Sequence, residues 1–487
     1  HLRGRQAVKP GTWLIATALT LLAACAGGGS EAPEPTDPGL PVQWWLTTTD
    51  QAQLLARQAD RALQTRASSD PVIEIDPAQR FQTMAGFGAS ITDASAWLMV
   101  NRQSPAQREA LLRELFGRGE GGLGFDLTRL TIGASDFSRT HYSFDDRPPG
   151  QTDPTLAAFS IEPNRADVLP VVKQARAINP ALQVMASPWS APGWMKTTDS
   201  LIKGSLKPEH HDAFARYLVR YVEAYAAEGV PIFALTLQNE PHFEPGDYPG
   251  MRLDPAQRAT LIGRHLGPLL AQRGLNVQLI EWDHNWDDPQ APLAVLADPV
   301  ARPYVAGVGW HCYAGQVQAQ SQVRDAHPDK DVWFTECSGG NWKPHWPETL
   351  PWMMRNLVIG ATRHWARGVL MWNLALDESH GPHLGGCPDC RGIVTIDSRT
   401  GAVTRNMEYY AFGHASRFVR VGAQRIGSTG SVDGIDHVAF RNADDGSIVV
   451  VLCNSAASTR RFALRQGGRL VEVEMPRESV ATFVWRP

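Results

Sequence analysis

The sequence lacks the features that several classes of protein require. Its 46 lysine and arginine residues are outnumbered by 50 acidic residues, and no basic cluster offsets the net charge of −4, so nothing favours nucleic-acid binding. It contains neither a G-x-S-x-G elbow nor an H-E-x-x-H pair, which excludes two other hydrolase classes. It also shows no internal repeat of fixed period.

Motifs for cofactors and metals are weak. A G-x-G-x-x-G pattern at Gly117–Gly122 follows a helix-like stretch instead of a strand, so it indicates a turn and not a dinucleotide site. The C-x-x-C motif at Cys387–Cys390 has no second C-x-x-C and no nearby paired histidines, which favours a short-loop disulfide over zinc. We expect no cofactor and no metal. We predict that the cysteines at Cys312, Cys337 and Cys453 are single and buried.

Tryptophan, by contrast, is abundant. Sixteen tryptophans in 487 residues lean towards a carbohydrate ligand, because indole rings stack on the apolar faces of sugars, although most of them could fill a core. The chain is 43% hydrophobic and 20% charged, which is typical of a globular protein. Its length allows one large domain and a smaller one.

The N-terminal segment, residues 1–25, is predicted to be a lipoprotein-type signal peptide. Basic residues precede an apolar stretch at Trp13–Ala24 that is too short for a membrane-spanning helix. The sequence Leu22-Ala23-Ala24-Cys25 resembles a bacterial lipobox, which implies cleavage before Cys25 and lipidation of its sulfur. We expect an exported protein of the cell envelope, in the periplasm or on the outer membrane, whose membrane contact is a lipid anchor. The alternative is an ordinary signal peptide with an incidental cysteine and a secreted protein.

Most of the chain alternates apolar strand-like runs with helix-like stretches. Eight such runs from Met84 onward predict eight βα units, that is, an α/β fold with a (β/α)8 TIM barrel over residues 84–403. Nearly every run ends in acids, amides, imidazoles or indoles, which is typical of an enzyme mouth that grips a polar ligand. The ends of the runs are Gly86–Ser90, Gly133–Asp136, Ser187–Ser190, Gln238–Pro241, Glu281–His284, Gly309–Tyr313, Thr335–Ser338 and Met371–Asn373.

The segments that flank the barrel have other patterns. Residues 26–70 are predicted to be a tether followed by a helix over Asp50–Thr65. Residues 71–83 contain an alternating run, which predicts an edge strand that pairs with the C-terminal strands. Residues 404–487 hold short strands separated by Asp-Gly, Gly-Gly and serine-rich turns, which predicts a side β-sandwich domain.

Two of the strand-like runs end in a glutamate. The run Leu235–Pro241 passes from apolar residues to an amide, an acid and a proline, and Val332–Glu336 repeats this design at the seventh run. The fourth and seventh strands of an eight-stranded barrel lie across the mouth from each other, so Glu240 and Glu336 can face one another. Two carboxylates that flank one bond are what glycoside hydrolysis needs. The alternative for Glu240, if its motif stood alone, is a loop cap or an ion pair with an arginine.

The two glutamates need different environments if one is to act as an acid. Arg129, on the second strand, is predicted to point inward and keep Glu336 ionised, and this role is compatible with a structural ion pair. Glu240 is expected to lie in a more apolar wall and to keep its proton. A non-catalytic surface lectin is the rival hypothesis. The presence of both carboxylates at strand ends argues against it.

Six motifs, in order along the chain, resemble glycoside hydrolase family 30, the family of glucosylceramidase (acid β-glucosidase). They are GFGASITDASA, LTRLTIGASDFSRTHYSFDD, SPWSAPGWMKT, LTLQNEP, WFTECSGG and MWNLALDESHGP. The resemblance implies a retaining β-glucosidase with Glu240 as acid/base and Glu336 as nucleophile. It also implies that a glucose unit is contacted by Asp136, Trp189, Asn239, His311, Tyr313 and Trp372.

The residue types agree with these implied roles. Asp136 and Asn239 can hydrogen-bond sugar hydroxyls, and Asn239 is suited to the 2-OH. Trp189 and Trp372 offer walls for the sugar ring, although an indole at a strand end is often core packing. Tyr313 can donate a hydrogen bond to the nucleophile.

The leaving group is less well defined. The loop at Cys387–Cys390, after the eighth strand, has no counterpart in the mammalian pattern and lies where leaving-group recognition is expected. The main hypothesis is a glucosylceramidase-like β-glucosidase. The alternative is cleavage of β-1,6-glucan or of short β-glucosides, so the expected partner is a β-glucoside, either a glycolipid or a β-glucan.

Overall fold

A computed structural model describes residues 37–119 and 121–487 of the chain. The predicted signal peptide and its lipobox cysteine, Cys25, lie outside the described residues. Within those residues, every helix falls short of the length and apolar character that a bilayer crossing would need.

The N-terminal part of the described chain forms strands, so the helix predicted over Asp50–Thr65 is wrong. Four strands precede the barrel: β1 (Leu40–Thr48), β2 (Ala56–Arg57), β3 (Arg61–Leu63) and β4 (Val72–Thr83). The left-handed backbone of Gln51 (φ 62°) and Leu55 (φ 45°) is incompatible with a helix. Both β2 and β3 pair with β1, and this pairing overrides the helical propensity of the segment.

Eight parallel strands then close into a barrel, which confirms all eight predicted runs. Strand β10 neighbours β9 and β11, and the last strand pairs with the first to close the ring. Gly88 allows the first two barrel strands to lie close together, since a Cβ there would lie 1.7 Å from the Leu127 carbonyl oxygen. The strands are β5 (Gly86–Ser90), β6 (Leu127–Ile132), β7 (Gln183–Pro188), β8 (Ile232–Thr236), β9 (Gln278–Asn285), β10 (Val305–His311), β11 (Asp331–Glu336) and, after the short β12 (Gly339–Gly340), β13 (Ala366–Asn373).

Helices connect the barrel strands, as the sequence predicted. The helix at Pro105–Phe116 has the predicted bounds, because Ser104 and Gln107 form a capping box around a proline at the first helical turn. The α-helices are α1 (Asp93–Asn101), α2 (Pro105–Phe116), α3 (Val168–Ile178), α4 (His211–Ala227), α5 (Pro255–Thr260), α6 (Gly267–Gln272), α7 (Gln290–Leu296), α8 (Ala319–Ala326), α9 (Trp346–Met353), α10 (Gly360–Arg363) and α11 (Met407–Ser416). π-Helical turns at Leu261–Leu266 and Met354–Val358 link α5 to α6 and α9 to α10. Short 3-10 turns lie at Glu162–Asn164, Gly193–Met195, Pro208–His210 and Arg302–Tyr304.

The C-terminal strands form the side β-sandwich with the N-terminal ones. Strand β4 pairs with C-terminal strands as predicted, but it lies between two of them and not at the edge of the sheet. The later strands of this sheet are β18 (Gln424–Thr429), β19 (Ile435–Arg441), β20 (Ile448–Asn454), β21 (Arg460–Gln466), β22 (Arg469–Met475) and β23 (Ser479–Trp485). The sheet order is β2-β1-β23-β20-β19-β18-β4-β21-β22. Strands β4 and β19–β23 of this sheet were predicted, and β1, β2, β3 and β18 were missed. Two small separate sheets contain β14 (Ala375–Asp377), β15 (Cys390–Arg391), β16 (Val394–Ile396) and β17 (Val403–Arg405).

The cysteines correct one prediction and agree with two. Cys312 and Cys337 form a disulfide, so the prediction that they are single is wrong. They follow the ends of the neighbouring parallel strands β10 and β11, which places their Cα atoms 5.4 Å apart although 25 residues separate them. The favoured bond between Cys387 and Cys390 is present. Among the described residues, Cys453 is the free thiol, and it is buried.

A buried histidine joins the barrel side of the molecule to the sandwich. His414, on α11, contacts Thr47 of β1 through Nε2 (2.7 Å) and Thr482 of β23 through Nδ1 (2.9 Å). Because the Thr482 hydroxyl donates to the His414 carbonyl, it accepts from Nδ1, which leaves Nε2 to accept from Thr47. The neutral ring therefore satisfies both contacts. Burial lowers the pKa of His414 to about 3.

We predict that His414 makes the protein sensitive to acid. Its folded-state pKa is below the ordinary 6.5, so its neutral form contributes stability above about pH 6.5 that is lost as the pH falls towards 3. Between pH 6.5 and 4, this one group lowers the free energy of unfolding by up to about 3 kcal/mol. Urea titrations at both pH values measure this change. Between pH 6.5 and 4, the free energy of unfolding of His414→Gln will fall by less than that of the wild type. An unchanged loss in the variant would contradict the assignment.

Candidate active site

The carboxyl ends of the barrel strands surround a cavity of about 660 Å³. Of the nine residues predicted from the sequence, Arg129 and His311 lie behind its wall, fully buried. The other seven line it directly: Asp136, Trp189, Asn239, Glu240, Tyr313, Glu336 and Trp372. The structure therefore brings the predicted residues together at one end of the barrel.

Both carboxylate oxygens of Glu336 are held by hydrogen bonds. Arg129 Nη1 donates to Oε1 (2.8 Å), which confirms the predicted contact, and the Tyr313 hydroxyl donates to Oε2 (2.7 Å). Nη2 of Arg129 donates to Asn239 Oδ1 (2.8 Å) and Asp283 Oδ2 (2.9 Å). Burial would lower the pKa of Arg129, but Asp283 and Glu336 raise it above its ordinary value. Arg129 is thus a fixed cation behind the cavity.

The environment of Glu240 differs from the apolar wall that the sequence predicted. Its Oε2 lies 3.0 Å from His311 Nδ1 and 3.3 Å from His284 Nδ1, so that prediction is wrong. Burial raises the pKa of Glu240, but the two imidazoles outweigh burial and hold it well below its usual range. The backbone of Glu240 is left-handed (φ 46°), and its N–H donates to the Asp283 carbonyl. This conformation places the carboxylate against the histidines.

One imidazole bridges the two glutamates. His311 Nδ1 lies 3.0 Å from Glu240 Oε2 and 4.0 Å from Glu336 Oε2, so both carboxylates face the same ring edge. The other nitrogen, Nε2, contacts Asp283 Oδ1 at 2.7 Å. A doubly protonated ring satisfies both contacts. Burial lowers the pKa of His311, but Glu336 and Asp283 raise it to about 9.

Sequence reasoning missed Asp283, although it lies in the run that ends the fifth barrel strand. Its carboxylate accepts hydrogen bonds from Thr236 and Thr335 (2.7 Å each), in addition to its contacts with Arg129 and His311. Burial raises the pKa of Asp283, but Arg129 and His311 hold it far below its usual range. The available signal was a second carboxylate in the polar run Glu281–His284 at the end of a barrel strand.

Asp136 lies beneath the loop that contains the second disulfide. The loop approaches closely at Gly386, where a Cβ would lie 2.4 Å from Asp136 Oδ2 and where φ is +71°. Leu384 N–H donates to the Asp136 carbonyl (2.8 Å). Burial, with further contributions from Glu336 and Glu240, raises the pKa of Asp136 to about 8. The protonated carboxyl group of Asp136 can therefore donate a hydrogen bond to a hydroxyl group.

The two predicted tryptophans form one stack. The rings of Trp189 and Trp372 lie 5.0 Å apart with an interplanar angle of 14°. The Arg129 guanidinium lies 4.8 Å from the Trp189 centroid. Both indoles are buried, so they pack against the core as well as line the cavity. Trp372 thus packs in the core and also borders the cavity, and its role as a wall for a sugar ring stays a prediction.

Several other residues at the mouth were not predicted. Phe243 and Trp342 line the cavity and are exposed, and His284 lies beside Glu240. Phe243 and Trp342 lie on loops between strands and helices, where no hydrophobic periodicity marks a residue as part of a site. Their position depends on how the loops fold over the barrel.

Three side chains have the composition of a metal site. One oxygen of Glu240 and one nitrogen each of His284 and His311 lie within 4.8 Å of one another. The same atoms already contact each other directly. The expectation that no metal takes part stays a prediction.

Comparison with known proteins agrees with this geometry. A family model described as "Glycosyl hydrolase family 30 TIM-barrel domain" matches residues 84–419, and the "Glycosyl hydrolase family 30 beta sandwich domain" matches residues 422–483. The two models meet after α11, whereas the sequence analysis placed the boundary at residue 404. Helix α11 contacts both the barrel strand β5 and the sandwich strand β23.

The chain is similar to relatives with different activities. The chain is 35% identical over 429 residues to an endo-1,6-beta-D-glucanase of Neurospora crassa (85% of this chain and 87% of the relative). It is 29% identical over 448 residues to the lysosomal acid glucosylceramidase of Mus musculus (86% and 84%). Among solved structures, the endo-beta1,6-glucanase BT3312 superposes with a TM-score of 0.84 at 32% identity and covers 92% of this chain and 99% of that one. The chain therefore belongs to glycosyl hydrolase family 30 and is a glycosidase of that family.

Proposed function

We propose that this protein hydrolyses β-1,6-glucan with retention of configuration. The observation that carries the proposal is the pair Glu240 and Glu336, which face one imidazole from strand ends across the barrel mouth. Among the relatives compared, the 1,6-β-glucanase has the higher identity, 35% against 29% for the glucosylceramidase. The glucanase alternative thus replaces the glucosylceramidase hypothesis as the main one.

Glu336 is the proposed nucleophile. Arg129 and Tyr313 each hold one of its oxygens, so the carboxylate is oriented before the substrate binds. One oxygen attacks the anomeric carbon, the glycosidic bond breaks, and a covalent glucosyl-enzyme forms. Water then releases the sugar and regenerates the carboxylate.

Glu240 is the proposed acid/base residue, and it shares its proton with His311. The raised pKa of His311 and the lowered pKa of Glu240 belong to one coupled pair, which retains a proton at neutral pH. That proton passes to the leaving oxygen in the first step. In the second step Glu240 takes a proton from the attacking water.

In this proposal the glucose unit lies beside these groups. Asn239 Oδ1 is occupied by Arg129, so the Asn239 amide nitrogen is left to donate to the 2-OH. Asp136 lies on the opposite side of the cavity from Tyr313, because their strands β6 and β10 are four positions apart in the barrel. The paired indoles of Trp189 and Trp372 supply the wall between them.

Export and lipid anchoring stay predictions. The lipobox-like sequence around Cys25 supports an envelope location for the hydrolase, with secretion as the alternative.

Hydrolysis of β-1,6-glucan by purified protein tests the proposed function. Reducing sugars will be released from β-1,6-glucan, at a kcat/KM at least about tenfold above that for glucosylceramide. Glu336→Gln will lower kcat on β-1,6-glucan by at least about 10³-fold, because an amide cannot form the glucosyl-enzyme. Glu244→Gln is the matched control, since Glu244 is exposed, does not line the cavity, and keeps an oxygen that can accept from the Gly204 N–H after the change to glutamine.

Two results would contradict the proposal. Preferential hydrolysis of glucosylceramide would restore the glucosylceramidase hypothesis. Binding of β-glucan without turnover above the Glu336→Gln level would favour the surface lectin.

The shared proton predicts the alkaline limit of activity. The wild-type kcat/KM for an unactivated β-glucoside will fall as the pH rises through about 9, since the His311 and Glu240 pair then loses its proton. In His311→Gln, Glu240 must hold the proton alone, so the alkaline limb will move to lower pH. A pH–rate profile of both proteins measures this shift. If His311→Gln lowers kcat/KM at every pH but leaves the alkaline limb of the profile at the same pH, His311 does not hold the proton.

A further inference from the structure

A second cavity of about 460 Å³ opens beside the active-site cavity. The two cavities share Tyr313, Ser338 and Trp342 as a common wall. The second one is formed by the residues that follow β10 and β11 and by helix α9. Its lining also includes Cys312, Cys337, Gly339, Lys343, Glu348, Thr349, Trp352 and Met353.

Two indoles dominate this cavity. Trp342 and Trp352 are 48% and 43% exposed, although large apolar side chains are usually buried in a core. The ring of Trp342 rests on the backbone of Gly340, where a Cβ would come within 1.9 Å of it, so its position is defined by that contact. Nothing in the proposed reaction uses either indole. Their exposure therefore calls for a ligand with an apolar face.

The remaining lining groups favour a sugar over an acyl chain. Lys343 and Glu348 form an ion pair and offer charged hydrogen-bonding groups to hydroxyls. The Thr349 hydroxyl donates to the Lys343 carbonyl and can still accept a hydrogen bond, and the ring of Tyr313 adds a further aromatic face. Exposed indoles flanked by such groups are typical of sites that bind the stacked face and the polar edge of a sugar. A purely apolar chain would make no use of this ion pair at the edge of the indoles.

The barrel geometry identifies which part of the substrate reaches this cavity. Asp136 follows β6 and Tyr313 follows β10, which lie on opposite sides of the eight-stranded ring. In the proposal, Asp136 holds the glucose unit that Glu336 attacks. The second cavity then lies on the side of this unit away from Asp136, behind Tyr313. Glu240, the proposed proton donor to the leaving oxygen, contacts His311, two residues before Tyr313, so we place the leaving part of the substrate on this side.

We propose that the second cavity binds glucose units of the leaving part of the chain, with Trp342 and Trp352 as stacking platforms. A β-1,6-linked chain then runs from the two glutamates over Trp342 to Trp352. This assignment rests on the proposed glucanase function. It predicts that the enzyme prefers longer chains to short glucosides.

Substitution of Trp352 tests the assignment, because this residue lines the second cavity and does not line the active-site cavity. Trp352→Ala will lower kcat/KM for long β-1,6-linked gluco-oligosaccharides by about tenfold, through the loss of one stacking contact. It will leave kcat/KM for an aryl β-glucoside within about twofold of the wild type. Trp352→Phe keeps a ring and will recover most of the loss. Tyr304→Ala is the matched control. Tyr304 is exposed and directly precedes β10, so it lies at the end of the barrel opposite to both cavities.

A binding measurement separates affinity from turnover. In the inactive Glu336→Gln protein, calorimetry with the same oligosaccharides will show weaker binding when Trp352→Ala is added. Equal activity of the wild type and Trp352→Ala on every oligosaccharide would overturn the inference and leave the glucanase function standing. Equal losses on the aryl glucoside and on the long chains would also overturn it. So would a loss confined to glucosylceramide, which would assign the cavity to a lipid. A wild type that cleaves the aryl glucoside but no β-1,6-linked chain would overturn the proposed function, and the inference with it.

Discussion

The fully buried guanidinium of Arg129 is the interaction on which the candidate active site depends. It donates to Ser187, Asn239, Asp283 and Glu336, which belong to four other strands or strand ends of the barrel. A buried cation is costly unless its partners surround it, so these contacts must form together when the barrel closes. The position of the nucleophile is thus tied to the stability of the fold.

Asp283 extends this network from one glutamate to the other. It joins Arg129 to His311, and His311 in turn contacts Glu240. One carboxylate therefore faces a guanidinium and a phenol, and the other faces two imidazoles. Such unlike surroundings give chemically equal side chains separate tasks, which is how one site carries both a nucleophile and a proton donor.

The limits of prediction from the sequence have physical causes. The eight barrel strands are short apolar runs that end in polar residues, so each could be recognised locally. The segment Asp50–Thr65 has helix-forming residues, but its conformation is decided by β1, which pairs with a strand more than four hundred residues away. The bond between Cys312 and Cys337 was missed for a similar reason, since only the parallel pairing of β10 and β11 brings them together.

The sequence alone determined the barrel, the side β-sandwich, and the placement of Glu240 and Glu336 at the ends of facing strands. These features follow from hydrophobic patterns and from the closure geometry of eight strands. Only the tertiary structure decided that Glu240 lies against histidines instead of an apolar wall, and that Trp352 borders a second cavity. Charge state and cavity shape depend on side chains that different strands and loops bring into contact, and no local pattern in a single chain records those neighbours.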